Sequence, residues 1–272
     1  LALDAEDDGD FNTAVGYQAL TAQTGTSGET NNTAVGYQAG AALTTATSNT
    51  FIGYQAAGTG VVTGGENTAV GVTSLNALTS GGQNTSLGTR AGLVLTEGDS
   101  NVFVGKDAGD SATVINEAVL IGHNAGHTIS TSTAVDGTIA IGAEALAALT
   151  TGEGNTAVGY QSGLKMVAGD KNTALGYQSL VHLDHANAYG NTAIGHSSMM
   201  SVADTDNNEA ANNTAVGVES LKVITDGQRN VAVGSGAGDS VTTSSDHVLI
   251  GKSAGAAIST GADGTVAVGS SA

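Results

Sequence analysis

The chain has no cysteine, no proline and no tryptophan, and only 3% of its 272 residues are aromatic. So few large rings are unlike the composition of an ordinary enzyme core. The lack of cysteine assigns no compartment, because a repeat array holds without disulfides in any redox environment. The lack of proline leaves a backbone donor at every residue, as an unbroken hydrogen-bond ladder requires. Basic residues are scarce too, 7 Lys and Arg against 25 Asp and Glu, for a net charge of −18. Such a chain repels phosphate backbones and anionic lipid, which argues against nucleic acid and bare membrane as partners. No apolar run approaches the ~20 residues that span a bilayer. The first ten residues, LALDAEDDGD, carry neither an initiator methionine nor a basic signal head, so we expect a processed or excised piece of a longer chain.

What the chain has instead is glycine, 41 residues of it, and a repeat. An NTAVG-like pentamer places its glycine at Gly16, Gly36, Gly53, Gly71, Gly88, Gly105, Gly122, Gly142, Gly159, Gly176, Gly195, Gly217, Gly234, Gly251 and Gly269. The intervals run from 17 to 22 residues, with 17 the commonest. The excess falls between motifs, as loop insertions on one edge of a coil would. The residue before the glycine is Val, Ile or Leu in every copy, and the residue three before it is Thr, Val or Ile. That spacing of two marks one face of a strand. Between them stands mostly Ala, replaced by Phe51, Phe103, Leu120 or Leu249, so the other face is apolar as well and both need cover. Three residues after the glycine comes Ala or Ser, which suggests a second short strand beyond a glycine bend. Asn precedes the strand in eleven copies, among them Asn12, Asn67, Asn155 and Asn230, and serves turn geometry and an amide ladder.

These patterns predict an all-β fold, a parallel β-solenoid of about fifteen ~17-residue coils running as one array over residues 1–272. At ~4.8 Å per coil such an array would measure about 70 Å. The motifs NTAVGYQAL, NTALGYQSL and NVFVGKDAG resemble the head repeats of YadA-type trimeric autotransporter adhesins and related repeats of phage tail fibres. The resemblance covers essentially the whole chain. It implies a left-handed β-roll with three chains packed side by side. Physical reasoning points independently to oligomerisation, because a narrow coil lined by small side chains buries little apolar area and its second apolar face needs a partner. A homotrimer or another parallel bundle is therefore expected, with the Val/Ile/Leu sites and the Ala/Phe/Leu sites divided between roll interior and intersubunit core.

Chemistry-bearing residues fit less well. His123 with His127, and His182 with Asp184 and His185, have usable metal spacings, yet no third and fourth ligand recurs with them. Asp4, Glu6, Asp8 and Asp10 around Gly9 resemble the start of a calcium loop, but Val15 stands where a closing bidentate Glu belongs. Solubilising acidic loops account for these residues and for Asp204, Asp206, Asn207, Asn208 and Glu209, with calcium as the one cofactor to test. No Ser/His/Asp grouping stands out, and the chain is expected to be non-enzymatic. Tyr17, Tyr37 and Tyr54, each followed by Gln, and Tyr160 and Tyr177 likewise, form a regular surface pattern. It could contact glycans or another surface, or simply stack on itself. Sequons stand at Asn31, Asn84 and Asn212.

Two functions remain: an extracellular structural fibre, and an adhesin or phage receptor-binding fibre that recognises surface glycans, on a cell surface or virion. Ice binding is disfavoured, because the recurring Thr shares its face with Val, Ile or Leu. The chain's end, GTVAVGSSA, runs in phase into its start, LALDAEDDGDFNTAVGYQAL, paralleling the internal GTIAIGAEALAALTTGEGNTAVGYQSG. The 272 residues are thus expected to be one unit of a longer fibre that continues end to end.

Overall fold

Each motif forms one three-residue strand, and within each compact unit each strand lies in register on the next. The computed structural model describes residues 1–5, 9–24, 28–129, 135–201, 208–261 and 263–272. The chain is an all-β parallel solenoid of about 14 turns spaced ~17 residues apart, the fifteen motifs marking their ends. It divides into two compact units, Leu1–Gly137 and Thr138–Ala272.

In the first unit the motif strands are β2 (Thr13–Val15), β4 (Thr33–Val35), β5 (Thr50–Ile52), β6 (Thr68–Val70), β7 (Thr85–Leu87), β8 (Val102–Val104) and β9 (Val119–Ile121). They stack in chain order, for example with Thr85 beside Val102 and Ser86 beside Phe103. Two further short strands, β1 (Gly9–Asp10) and β3 (Gly28–Glu29), pair separately. The second unit holds β10 (Ile139–Ile141), β11 (Thr156–Val158), β12 (Thr173–Leu175), β13 (Thr192–Ile194), β14 (Thr214–Val216), β15 (Val231–Val233), β16 (Val248–Ile250) and β17 (Val266–Val268), stacked in the same way.

Alternation along the strand decides what each coil buries. The central residue points inward and, between the two end strands, is fully or almost fully buried, from Ala34, Phe51 and Phe103 in the first unit to Ala157 and Leu249 in the second. The flanking Thr/Val/Ile and Val/Ile/Leu residues point outward. The interior is completed by the Ala or Ser three residues after the glycine and by a large residue seven after it, such as Leu78, Leu95 and Ile129. Size is exchanged within this interior. Where the central strand residue is Ala, the position four after the glycine can be Leu, as at Leu20 and Leu146. Where the central residue is Phe51, Phe103, Leu120 or Leu249, the preceding coil carries Gly there, at Gly40, Gly92, Gly109 and Gly238. A β-carbon on Gly109 would lie 2.8 Å from Phe103 and 2.9 Å from Leu120.

The segment after the glycine is not the second strand expected from its Ala/Ser pattern. It is a run of turns, because the residue two after the glycine takes a left-handed conformation, as at Gln18 (φ 54°), Gln38 (φ 52°) and Asp107 (φ 59°). It still bonds coil to coil, Gln38 N–H donating to the Tyr17 carbonyl at 2.8 Å. Spacing between coils is therefore kept without extended backbone.

An asparagine ladder runs through the interior edge of each unit. The Asn84 side-chain oxygen accepts from both the backbone N–H of Asn101 (3.1 Å) and its side-chain amide (2.9 Å), while the Asn84 amide donates to the Gly98 carbonyl (2.8 Å). The first unit's ladder ends at Ala118, whose N–H donates to Asn101. A new ladder begins at Asn155 in the second unit and passes through Asn172, Asn191, Asn213 and Asn230. His247 then takes the asparagine position. It donates its backbone N–H to Asn230 and accepts the Thr265 N–H on Nδ1 at 3.1 Å, but its buried Nε2 has no hydrogen-bond partner. His247→Asn should restore both amide bonds and raise stability by about 1 kcal/mol, read as a higher denaturant midpoint at unchanged m-value.

Candidate functional site

The outward side of the strands is the surface most regularly built by the repeat. Its two columns are the first and third residues of every motif strand, half-buried to exposed, and none of them is charged. Ile52, Leu87, Leu175 and Ile250 are among the exposed apolar side chains on it. Thr and Val/Ile/Leu thus share the face, as the two-residue spacing requires.

One flank of this face is the column that follows the glycine. Here Tyr17, Tyr37 and Tyr54 stack with ring centroids 5.3 and 5.2 Å apart and interplanar angles of 15° and 7°. In the second unit Tyr160 stacks on Tyr177 at 5.4 Å, and Tyr177 stacks on His196 at 5.1 Å. Sequence reasoning had not joined His196 to this column, although it too directly follows a motif glycine. Beside the rings runs an amide ladder, Gln55 donating to Gln38 (2.9 Å) and Gln38 to Gln18 (2.8 Å). Gln178 donates to Gln161 (2.8 Å), which donates to the Glu144 carboxylate (2.7 Å). The five tyrosines remain 44 to 59% exposed. Stacking occupies ring faces within each run, so hydroxyls and ring edges are what they chiefly offer to a ligand.

No family model, no curated protein and no solved structure matches the chain.

The other flank lies five and six residues before the glycine; in the first unit its charged residues are all acidic, whereas in the second Lys171 and Arg229 stand among them. Asp99 accepts the Gly82 N–H (2.7 Å), Asn116 accepts the Asp99 N–H (2.9 Å), and Asp136 accepts the Asn116 N–H (2.8 Å). Asp99, Ser100, Asn116, Glu117 and Asp136 line a hollow of about 450 Å³.

Further round the first unit lies an ion-pair cluster. Arg90 reaches Asp107 (3.2 Å) and Asp110 (2.8 Å), Lys106 reaches Asp107 (2.9 Å), and His127 Nδ1 lies 2.6 Å from Asp110. Burial alone would raise the Asp107 pKa. The Lys106 hydrogen bond and the charges of Arg90, Lys106 and His123 outweigh it and hold the carboxyl below its ordinary 3.8. A depressed carboxylate contributes stability above its unfolded pKa and loses it as pH falls through the folded value. Acid melting should therefore erode the first unit below about pH 3.8. Arg90→Ala should cost about 1–2 kcal/mol at neutral pH and flatten that acid limb. Melting temperature measured against pH for both proteins checks this.

The histidine pairs singled out by spacing are used locally. His127 pairs with Asp110, His185 Nδ1 lies 3.5 Å from Glu209, and Asp184 accepts the Asn208 N–H (3.2 Å). Of the calcium-loop candidates, Asp4 and Asp10 are described, and the Asp10 carbonyl accepts the Thr30 N–H (3.1 Å). Glu6 and Asp8 lie outside the described residues, as do Asp204, Asp206 and Asn207. Among the described residues no three His, Cys, Asp or Glu side chains are grouped to hold a metal ion, and no helix is long and apolar enough to cross a membrane. Among the sequons, Asn84 is locked in the buried ladder, whereas Asn31 and Asn212 are exposed.

Proposed function

We propose that the chain is a non-enzymatic structural element of an extracellular fibre, on a cell surface or a virion, that associates with copies of itself side by side and end to end. The observation that supports this reading most directly is the register. Within each unit equivalent motif residues lie beside one another, coil after coil, and the interior asparagines bond to the backbone and amides of neighbouring coils. Such residues do the work of stacking. The uncharged outward columns on a chain of net charge −18 leave an apolar strip for a like surface, which fits a trimer or another parallel bundle. Electron microscopy and sedimentation across a concentration series test the reading. Filaments or stable side-by-side oligomers are expected, and a monodisperse monomer at every concentration would remove it.

A second reading, adhesion to surface glycans, is favoured by the exposed tyrosine and glutamine columns. On that reading Tyr37→Ala and Tyr177→Ala lose binding on a glycan array while melting within about 1 kcal/mol of the parent. A blank array for the parent protein rejects it.

A further inference from the structure

The three Asn-x-Ser/Thr sequons are treated by the fold in two ways. In Asn84-Thr85-Ser86 the asparagine is itself a ladder residue. It is fully buried, and its side-chain amide donates to the Asn67 side-chain oxygen (3.0 Å) and to the Gly98 carbonyl (2.8 Å), so both amide protons are used. The hydroxyl residue of this sequon, Ser86, is an inward strand centre, fully buried, and it donates to the Ala91 carbonyl at 2.9 Å. Asn31-Asn32-Thr33 and Asn212-Asn213-Thr214 begin one residue earlier relative to the motif glycine. A shift of one residue exchanges inside for outside. Here the second asparagine enters the ladder, Asn32 donating to the Ala46 carbonyl (2.8 Å) and Asn213 to the Gly227 carbonyl (2.8 Å). The first asparagine stands in the left-handed turn before it, with φ 54° at Asn31 and 58° at Asn212, and its side chain is exposed. Its backbone is anchored, Asn31 N–H donating to the Asp10 carbonyl (3.3 Å) and Asn212 N–H to the Tyr189 carbonyl (2.9 Å). The hydroxyl residue, Thr33 or Thr214, is now the first residue of the strand, facing outward and half-buried. Among the described residues neither of these two asparagine side chains nor either threonine hydroxyl has a hydrogen-bond partner.

We propose that Asn31 and Asn212, one in each unit, are N-glycosylation sites of the folded chain, and that the fold withholds Asn84. The co-reactant is a phosphate-activated sugar, brought by an external transferase. The asparagine amide nitrogen bonds to the sugar's anomeric carbon as that carbon's bond to the phosphate oxygen breaks. The phosphate group leaves with the electron pair, and the amide proton passes to a base of the transferase. Such an enzyme needs a free amide and a reachable hydroxyl two residues on, and both are present together only at Asn31 and Asn212. Attachment there costs the stack nothing, because the ladder bonds of these coils are made by Asn32 and Asn213. Both acceptors lie five residues before their glycine, so in each unit the sugar projects from the same flank of the outward face.

Peptide mass spectrometry decides this. The folded full chain, incubated with a sequon-specific transferase and a nucleotide-activated hexose, should gain sugar at Asn31 and Asn212 and none at Asn84. The same chain digested by a protease beforehand should gain it at all three, which separates the effect of the fold from that of the local sequence. Thr33→Val and Thr214→Val place at the strand start a residue that other coils carry there, as at Val102 and Val231, and each should lose the sugar at its own asparagine alone. Thr33→Ser and Thr214→Ser should restore it. Protein isolated from its natural source should carry sugar at the same two asparagines. Sugar on Asn84 of the folded chain, or sugar that persists in the valine variants, would overturn the proposal, and a bare Asn31 or Asn212 in the natural protein overturns it for that site.

Discussion

Gly105→Ala should open the first unit's coil stack, with a stability loss of order 4 kcal/mol or more, a size reserved for clashes that cannot relax. Gly105 has φ +129°, which L side chains rarely adopt, and a β-carbon there would lie 2.6 Å from the Gly122 carbonyl oxygen and 2.7 Å from its carbon. Both contacts are backbone. Relief requires moving a whole coil, which would lengthen the bond from Gly105 N–H to Leu87 O, now 2.8 Å. Gly71, Gly88, Gly159 and Gly176 meet the next coil's glycine in the same way, so the effect should recur along the array. Because such arrays unfold as coupled nearest neighbours, hydrogen exchange should show protection lost first in the coils beside Gly105. Protection unchanged there would refute this account of the glycine.

Asn84→Ala should cost about 3–5 kcal/mol. The substitution removes the acceptor for the Asn101 backbone N–H and side-chain amide and the donor to the Gly98 carbonyl, all at buried positions. Each orphaned buried group costs about 1–3 kcal/mol, and the small cavity adds to it. Asn84→Asp should fare no better, since a carboxylate cannot donate to the Gly98 carbonyl and its charge would be buried. Chemical denaturation of both variants checks the size, and a loss below about 1 kcal/mol would mean the ladder is dispensable.

Much of this architecture was legible in the sequence because the repeat is its own alignment. Fifteen superposed copies expose the two-residue alternation from Thr13 to Val268, the glycine and the asparagine, each a position where one geometry must recur. The use of Gly, as at Gly92 and Gly109, where other coils carry a residue such as Leu75, in each coil that precedes a Phe or Leu strand centre was also written there, but it becomes readable only once coils are stacked. The surface columns were legible in part. Tyr17, Tyr37 and Tyr54 announced themselves by identity, while the first unit's acidic flank, made of unlike residues at five and six before the glycine, did not.

By itself the sequence determined period, strand position and parallel register, since only in-register stacking repeats the same contacts at every copy. It left open which apolar side of the strand faces inward, because both are apolar and a one-residue shift exchanges them. The tertiary structure decided that the small central residues go inside and Val, Ile or Leu go out. A coil of about seventeen residues leaves little room opposite each strand, and the residues seven after the glycine, Leu78, Leu95 and Ile129, already fill most of it. It also decided that the chain after Gly16, Gly36 and Gly105 turns rather than extends, through left-handed residues such as Gln18 and Asp107 that no composition rule marks.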